Sequence, residues 1–134
     1  MGKTVCVIDG ACFDTLETFY IHALEALTGT GWESNLDAFN DILRGGFGTP
    51  EGGYILRWRN WELSRQRLGY AETVRQLRLR LGQCHPSNVP LVTRQLEDAC
   101  HGRGPTVFDW LVEIIQVHCP GGEEEEDGVE LEFE

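Results

Sequence analysis

The sequence GWESNLDAFNDILRGG occupies residues 31–46 and combines a helical pattern with an unusual arrangement of charge. At 3.6 residues per turn, four apolar residues gather on one side of a short helix: Leu36, Phe39, Ile42 and Leu43. Asp37 and Asp41 stack one turn apart on another side, where like charges destabilise a helix by a few tenths of a kcal/mol. Only Arg44 is placed to relieve Asp41. The pair is therefore either a solvated face or a surface that binds a cationic partner.

Upstream and downstream of this helix, strand patterns alternate with helix patterns. The apolar run at 4–8 predicts a buried strand. Asp14 is placed to cap a helix that continues through six apolar positions and ends at Gly29. The glycine-rich stretch at 45–53 predicts a flexible connection, and the run at 54–58 predicts a second strand.

The same alternation continues to the end of the chain. We expect a charged helix over 60–81, with a break at Gly69, and a shorter helix over 90–100. A final amphipathic helix is expected after Pro105, and the alternation of apolar and acidic residues at 129–133 predicts a strand. Strands separated by helices indicate an α/β fold with a small parallel sheet and helical crossovers.

Length, composition and charge limit the classes of protein to consider. The chain has 134 residues, 41% of them apolar, which suits one domain over 1–134. The formal net charge of −11 argues against a nucleic-acid binder, because phosphate recognition depends on Lys and Arg. No apolar run approaches the ~20 residues of a membrane span, and the first residues lack a signal peptide's apolar segment. We therefore expect no nucleic acid and no membrane as partners.

The five cysteines indicate a reducing compartment. Their number is odd and they show no framework spacing, so reduced thiols in a cytoplasmic protein are the simplest interpretation. Cys6 and Cys12 are expected to be small buried residues. Three Cys-His neighbours raise a zinc hypothesis, but no CxxC or HxxxH spacing brings ligands together. We expect no metal and no cofactor.

Charge is segregated along the chain. Residues 1–43 hold one lysine against seven acids, a net of −6, and residues 44–104 hold ten arginines against five acids, a net of +5. Residues 105–134 hold ten acids and no Lys or Arg, a net of −10. The acidic ends favour a basic partner.

The order of elements and two motifs resemble the barstar family of small intracellular ribonuclease inhibitors. The more specific motif is NLDAFND at 35–41, and the second is LRWRNWELSRQ at 56–66, with VIDG near the start. The resemblance covers about residues 3–69 and 105–134. It implies a three-stranded parallel sheet packed with helices, with an extra helical insert near 70–104. It also implies a protein that is not an enzyme and that blocks the active site of a basic bacterial ribonuclease.

The resemblance also implies where a partner binds. Asn35, Asp37 and Asp41 fall where the family's inhibitory helix meets the enzyme, and Glu113 falls where a further acidic contact is made. Asn40 and Gly46 stand where a well-known member has tryptophans, and Arg44 adds a cation beside the acidic face. The expected partner-binding residues are Trp32, Asn35, Asp37, Asn40, Asp41, Arg44, Gly45 and Glu113.

Blander interpretations remain open for the same residues. Trp32 can equally be a core residue at the entry to the helix, and Glu113 can simply lie on the solvent-exposed side of an amphipathic helix. The acidic run at 121–128 is most simply a solvated loop. Two other functions also remain: a hydrolase that uses Asp37, Asp41 and Glu113 with a metal or a histidine, and a structural subunit that docks through the arginine-rich insert. Neither the oligomeric state nor the identity of the partner follows from the sequence.

Overall fold

A three-stranded parallel sheet lies at the centre of the computed structural model, which describes residues 3–45, 48–50 and 52–134. The strands are β1 (Thr4–Asp9), β2 (Tyr54–Arg59) and β3 (Val129–Phe133). They lie side by side in the order β1-β2-β3, with Cys6 opposite Leu56 and Leu56 opposite Leu131. The predicted α/β fold with a small parallel sheet is confirmed.

In the described residues, six α-helices lie in the two crossovers between the strands. The first crossover contains α1 (Leu16–Thr28) and α2 (Leu36–Arg44). The second contains α3 (Trp61–Arg67), α4 (Tyr70–Leu81), α5 (Val89–Cys100) and α6 (Val107–Val117). The expected break at Gly69 therefore separates two helices. The glycine-rich connection is described only in part, because Gly46, Phe47 and Glu51 lie outside the described residues.

The two faces of the sheet have different environments. Successive residues of a strand point to opposite faces, and Ile8, Leu56 and Trp58 are fully buried on the face that packs against the helices. On the other face Val5 and Val7 are each 39% exposed. The main core therefore lies on one side of the sheet, where it also includes the buried sides of α1, α2 and α6.

Helix α1 begins at a different cap from the one expected. Thr15, not Asp14, is the N-cap residue, and its hydroxyl accepts a hydrogen bond from the Thr18 backbone N–H. The Thr18 hydroxyl in turn accepts from the backbone N–H of Thr15, which completes a capping box. Gly29 ends the helix, as expected, with a left-handed φ of 85°.

Helix α4 holds the first turns of two other helices. The backbone N–H of Leu16, at the start of α1, donates to the buried carboxylate of Glu72 at 2.7 Å. The backbone N–H of Val107, at the start of α6, donates to the hydroxyl of Thr73 at 2.9 Å. These bonds satisfy helix-start donors that have no partner within their own helix. They join α4 to the main core.

Residues 70–104 consist of α4, α5 and their connections. Helix α5 packs on α4 around a second, smaller cluster of Leu77, Val92 and Ala99. Trp110 of α6 contacts both this cluster and the main core. That this segment is an insert added to a complete core stays a prediction.

The cysteines are unpaired, but one is not where we expected it. All five are free thiols. Cys6 is buried in the core, as expected, and burial raises its pKa. The expectation for Cys12 is wrong: it is exposed, because it lies in a short 3-10 turn after β1. Within the described ranges, no helix has both the length and the apolar character needed to cross a membrane.

We expect Glu72→Ala to destabilise the fold by about 1–3 kcal/mol, because it leaves the start of α1 without its acceptor and Arg75 without a partner on its own helix. Urea unfolding followed by circular dichroism measures the change. Glu97→Gln, an exposed acid on α5, is the control and should change stability by less than about 0.5 kcal/mol. Equal stability of the two variants would contradict the capping role of Glu72.

Candidate functional site

Helix α2 presents its acidic side because its ends and its apolar face are both fixed. The side-chain oxygen of Asn35 accepts from the backbone N–H of Ala38 at 2.8 Å and so caps the N-terminus. Gly45, with φ 107°, ends the helix and donates its backbone N–H to the carbonyl of Ile42. The buried residues are Phe39, Ile42 and Leu43. With this side in the core, Asp37 and Asp41 are held in solvent.

A groove of about 460 Å³ lies between α2, α6 and the loop that follows α6. We call it the acidic groove. Helix α2 contributes Asp37, Asn40 and Arg44 to its lining, α6 contributes Trp110 and Glu113, and the loop contributes Glu123 and Glu124. The structure therefore brings together four of the residues that the sequence indicated, from two helices about 70 positions apart.

The other four expected residues lie outside the lining of the acidic groove. Asp41 is on the exposed side of α2, and Gly45 lies at the end of that helix. Asn35, the cap of α2, lines a second groove between α2, α1 and α4. Trp32 is 39% exposed in the segment before α2, so it is not a core residue. A role of these residues in binding stays a prediction.

Arg44 neutralises one of the two stacked aspartates but not the other. Its guanidinium lies 3.2 Å from the carboxylate of Asp41 and 2.8 Å from that of Glu124. The hydrogen bond to Glu124, followed by the charges of both acids, raises the pKa of Arg44 further above its usual range. Within the described ranges, Asp37 has no Lys, Arg or His nitrogen within 4.0 Å. Asp37 therefore remains available to an external cation.

A buried histidine lies behind the acidic groove and joins α2 to the acidic loop. His118 is fully buried, and its Nδ1 lies 2.6 Å from the carboxylate of Asp127. Its Nε2 lies 2.7 Å from the side-chain oxygen of Asn40 on α2. Residues 121–128 form a connection between α6 and β3 with no buried residue, as expected of a solvated loop, but two of its acids have internal partners. Asp127 and Glu124 attach the loop to His118 and to Arg44, and Asp127 supplies the polar partner that the buried imidazole needs.

The same cluster contains the donors of a candidate metal site. Among the described residues, one ligand atom each from His118, Glu124 and Asp127 lies within 4.8 Å of the others. These atoms already have partners, since Glu124 pairs with Arg44 through two hydrogen-bonding nitrogens and Asp127 pairs with His118. The three candidate ligand side chains are therefore already paired with other groups of the protein. Of the three Cys-His neighbours considered from the sequence, the His118-Cys119 pair contributes its histidine to this cluster, and Cys119 is not part of it.

The sequence reasoning did not identify Trp110, and it considered His118 only as part of a Cys-His pair, without its contacts to Asn40 and Asp127. Trp110 lies three positions before Glu113, so helical periodicity alone places both on one side of α6. The guanidinium of Arg80, on α4, lies over the Trp110 ring at 5.1 Å from its centroid. The partners of His118 had no such local signal, because Asn40 is 78 positions away.

Comparison with known proteins identifies a family. A family model described as Barstar (barnase inhibitor) matches residues 3–100. The matched stretch runs from β1 to the end of α5 and includes α2. No curated protein and no solved structure matches the chain.

We expect His118→Phe to destabilise the fold by about 2–4 kcal/mol, because it leaves Asn40 and Asp127 without their buried partner while it preserves a ring of similar size. Thermal unfolding measures the stability. The side-chain amide resonances of Asn40 report its orientation in the folded variant.

His101→Phe is the matched control, since His101 is exposed at the end of α5 and is expected to have little effect. If His118→Phe changed neither the stability nor the Asn40 resonances, the cluster would not position α2.

Proposed function

Because the chain belongs to the barstar family, we propose that it is a non-enzymatic inhibitor that binds a basic ribonuclease and blocks its active site through the acidic groove. The observation that carries this proposal is the charge of that groove. Within the described ranges, Asp37, Glu113 and Glu123 have no Lys, Arg or His nitrogen within 4.0 Å, and Arg44 is already paired with two acids.

The groove has the chemistry that a ribonuclease site would recognise. Such a site binds phosphate with Arg, Lys and His, and carboxylates can take the positions of the phosphate oxygens. Three carboxylates that have no cation within 4.0 Å among the described residues lie around this indented surface and offer those positions. Trp110, on the same lining, adds a rigid aromatic surface of the kind that is enriched at binding hot spots.

Asp37 is proposed as the central anchor rather than Asp41. Asp37 lines both the acidic groove and the second groove on the other side of α2. Asp41 is already paired with Arg44 and has a side chain that is 56% exposed. A partner cation therefore gains more from Asp37, since it does not have to compete with an internal cation.

The two alternative functions have weaker support. The hydrolase alternative combines carboxylates with a metal or a histidine, and among the described residues no His lines the acidic groove. A subunit that docks through residues 70–104 would use α4 and α5, whose buried sides pack on each other and on Trp110. The five free thiols fit the proposal of a cytoplasmic protein.

Asp37→Ala should weaken binding to the target ribonuclease by more than about 2 kcal/mol, and Asp41→Ala should weaken it by less, because Asp41 already pairs with Arg44 and Asp37 pairs with no described cation. Calorimetry with a panel of bacterial ribonucleases that includes barnase measures both, and RNA cleavage in the same mixtures reports inhibition. Asp14→Asn, an exposed acid before α1, is the control. Full inhibition by the Asp37 variant would place the site elsewhere, and RNA cleavage by the chain alone would show that it is an enzyme.

The association rate should fall as ionic strength rises past ~0.1 M, because the net charge of −11 attracts a basic partner and salt screens that attraction. The dissociation rate should change less, because the central charge pairs would be shielded from ions. Stopped-flow mixing at several salt concentrations separates the two rates. An association rate that does not depend on salt would remove electrostatic steering from the proposal.

A further inference from the structure

Strand β3 forms an edge of the sheet, and part of its backbone has no partner. Glu134 donates its backbone N–H to Trp58 on β2, whereas Val129 donates its N–H away from β2 to His118. Backbone groups of a parallel strand alternate between its two neighbours, so the N–H and C=O of Phe133 and the C=O of Leu131 point outward. Among the described residues, no hydrogen bond reaches these three groups.

A second acidic indentation of about 880 Å³ lies beside this edge, between β3 and α6. We call it the β3 groove. Its apolar lining includes Val117, Leu131 and Phe133, and Phe133 is 43% exposed. Its acids include Glu113, Glu123 and Glu130, and none of the lining residues that the structure describes is Lys or Arg. The groove therefore combines free backbone groups, apolar surface and negative charge.

The side chains of β3 determine which residue types would complement them in an added strand. Leu131 and Phe133 point toward the helices, whereas Glu130 and Glu132 point to the open face of the sheet. Lys3 and Arg57 reach Glu130 and Glu132 at 3.2 and 3.1 Å, and both acids keep almost half of their side chains exposed. A neighbouring strand would therefore place alternate residues beside carboxylates and beside apolar side chains.

We propose that the β3 groove binds an extended segment of a partner protein by strand addition, and that this segment alternates Lys or Arg with aliphatic residues. The basic residues lie beside Glu130 and Glu132, and the aliphatic residues lie against Leu131, Phe133 and Val117. The backbone of the segment bonds to the free groups of Phe133 and Leu131. This binding does not depend on the partner being a ribonuclease.

The charge of the groove favours a basic segment over a second copy of this chain. Antiparallel pairing of two β3 strands would bring acids from both copies into one small surface, where like charges in neighbouring strands destabilise the pair. The last 30 residues supply no Lys or Arg to compensate.

A synthetic peptide, acetyl-KVKVKVK-amide, tests the proposal with the full-length protein. Two analogues carry N-methyl groups, one on the valines and the other on the lysines. Only one of these two sets of amides can face β3, so one analogue should bind roughly tenfold or more weakly and the other should bind like the parent peptide. Fluorescence anisotropy of labelled peptides measures the affinities, and amide hydrogen exchange should show slower exchange at Phe133 in the complex.

Charge variants separate strand addition from general attraction to an acidic protein. Glu130→Gln with Glu132→Gln should weaken binding several-fold, whereas Asp14→Asn with Glu97→Gln, which changes the net charge equally at distant exposed sites, should not. Equal binding of both N-methyl analogues, protection at Val5 and Val7 of β1 instead of Phe133, or no binding at about 1 mM peptide would each overturn the proposal.

The ribonuclease panel is measured separately. Peptide binding without any ribonuclease binding would refute only the proposed function, and ribonuclease inhibition without peptide binding would refute only strand addition at β3.

Discussion

Parallel pairing of three strands in their order along the chain is the constraint on which the rest of the structure depends. Each parallel pair needs a long crossover, and crossovers of the same right-handed sense place their helices on the same face of the sheet. This places α2 from the first crossover beside α6 from the second. It also leaves the opposite face open, where Val5 and Val7 are exposed, and leaves β1 and β3 as edges. Both proposed binding surfaces are consequences of this topology.

The acidic groove is held by a polar network rather than by apolar packing alone. His118, fully buried, contacts α2 through Asn40 and the acidic loop through Asp127. Arg44 contacts the same loop through Glu124. A buried polar group is costly unless it is paired, so a single arrangement of helix and loop satisfies all of these groups. The network therefore orients the acidic side of α2, and within the described part of the chain Asp37 and Glu113 have no cation within 4.0 Å.

Local sequence was enough to predict most of the elements. The apolar runs of β1 and β2, the alternation in β3, and the apolar side of α2 are all periodic patterns, and each element occurs where its pattern lies. The cap of α1 was wrong by one residue, because Asp14 and Thr15 are both good caps and only the local backbone shows which one reaches Thr18. Helical periodicity also identified the acidic face of α2, since residues one turn apart in a helix are neighbours.

The sequence by itself determined the class of fold, the boundaries of most elements and the segregation of charge, because these properties depend on neighbouring residues. Only the tertiary structure decided which charges are used internally. Arg44 pairs with Glu124, His118 with Asn40, and Glu72 holds the start of α1 from 56 positions away. The tertiary structure also placed Trp110 and Glu113 in the same groove as Asp37, and it placed Cys12 at the surface. The physical reason is that hydrogen bonds and ion pairs act over a few ångströms, and distances between residues far apart in the chain are set by packing.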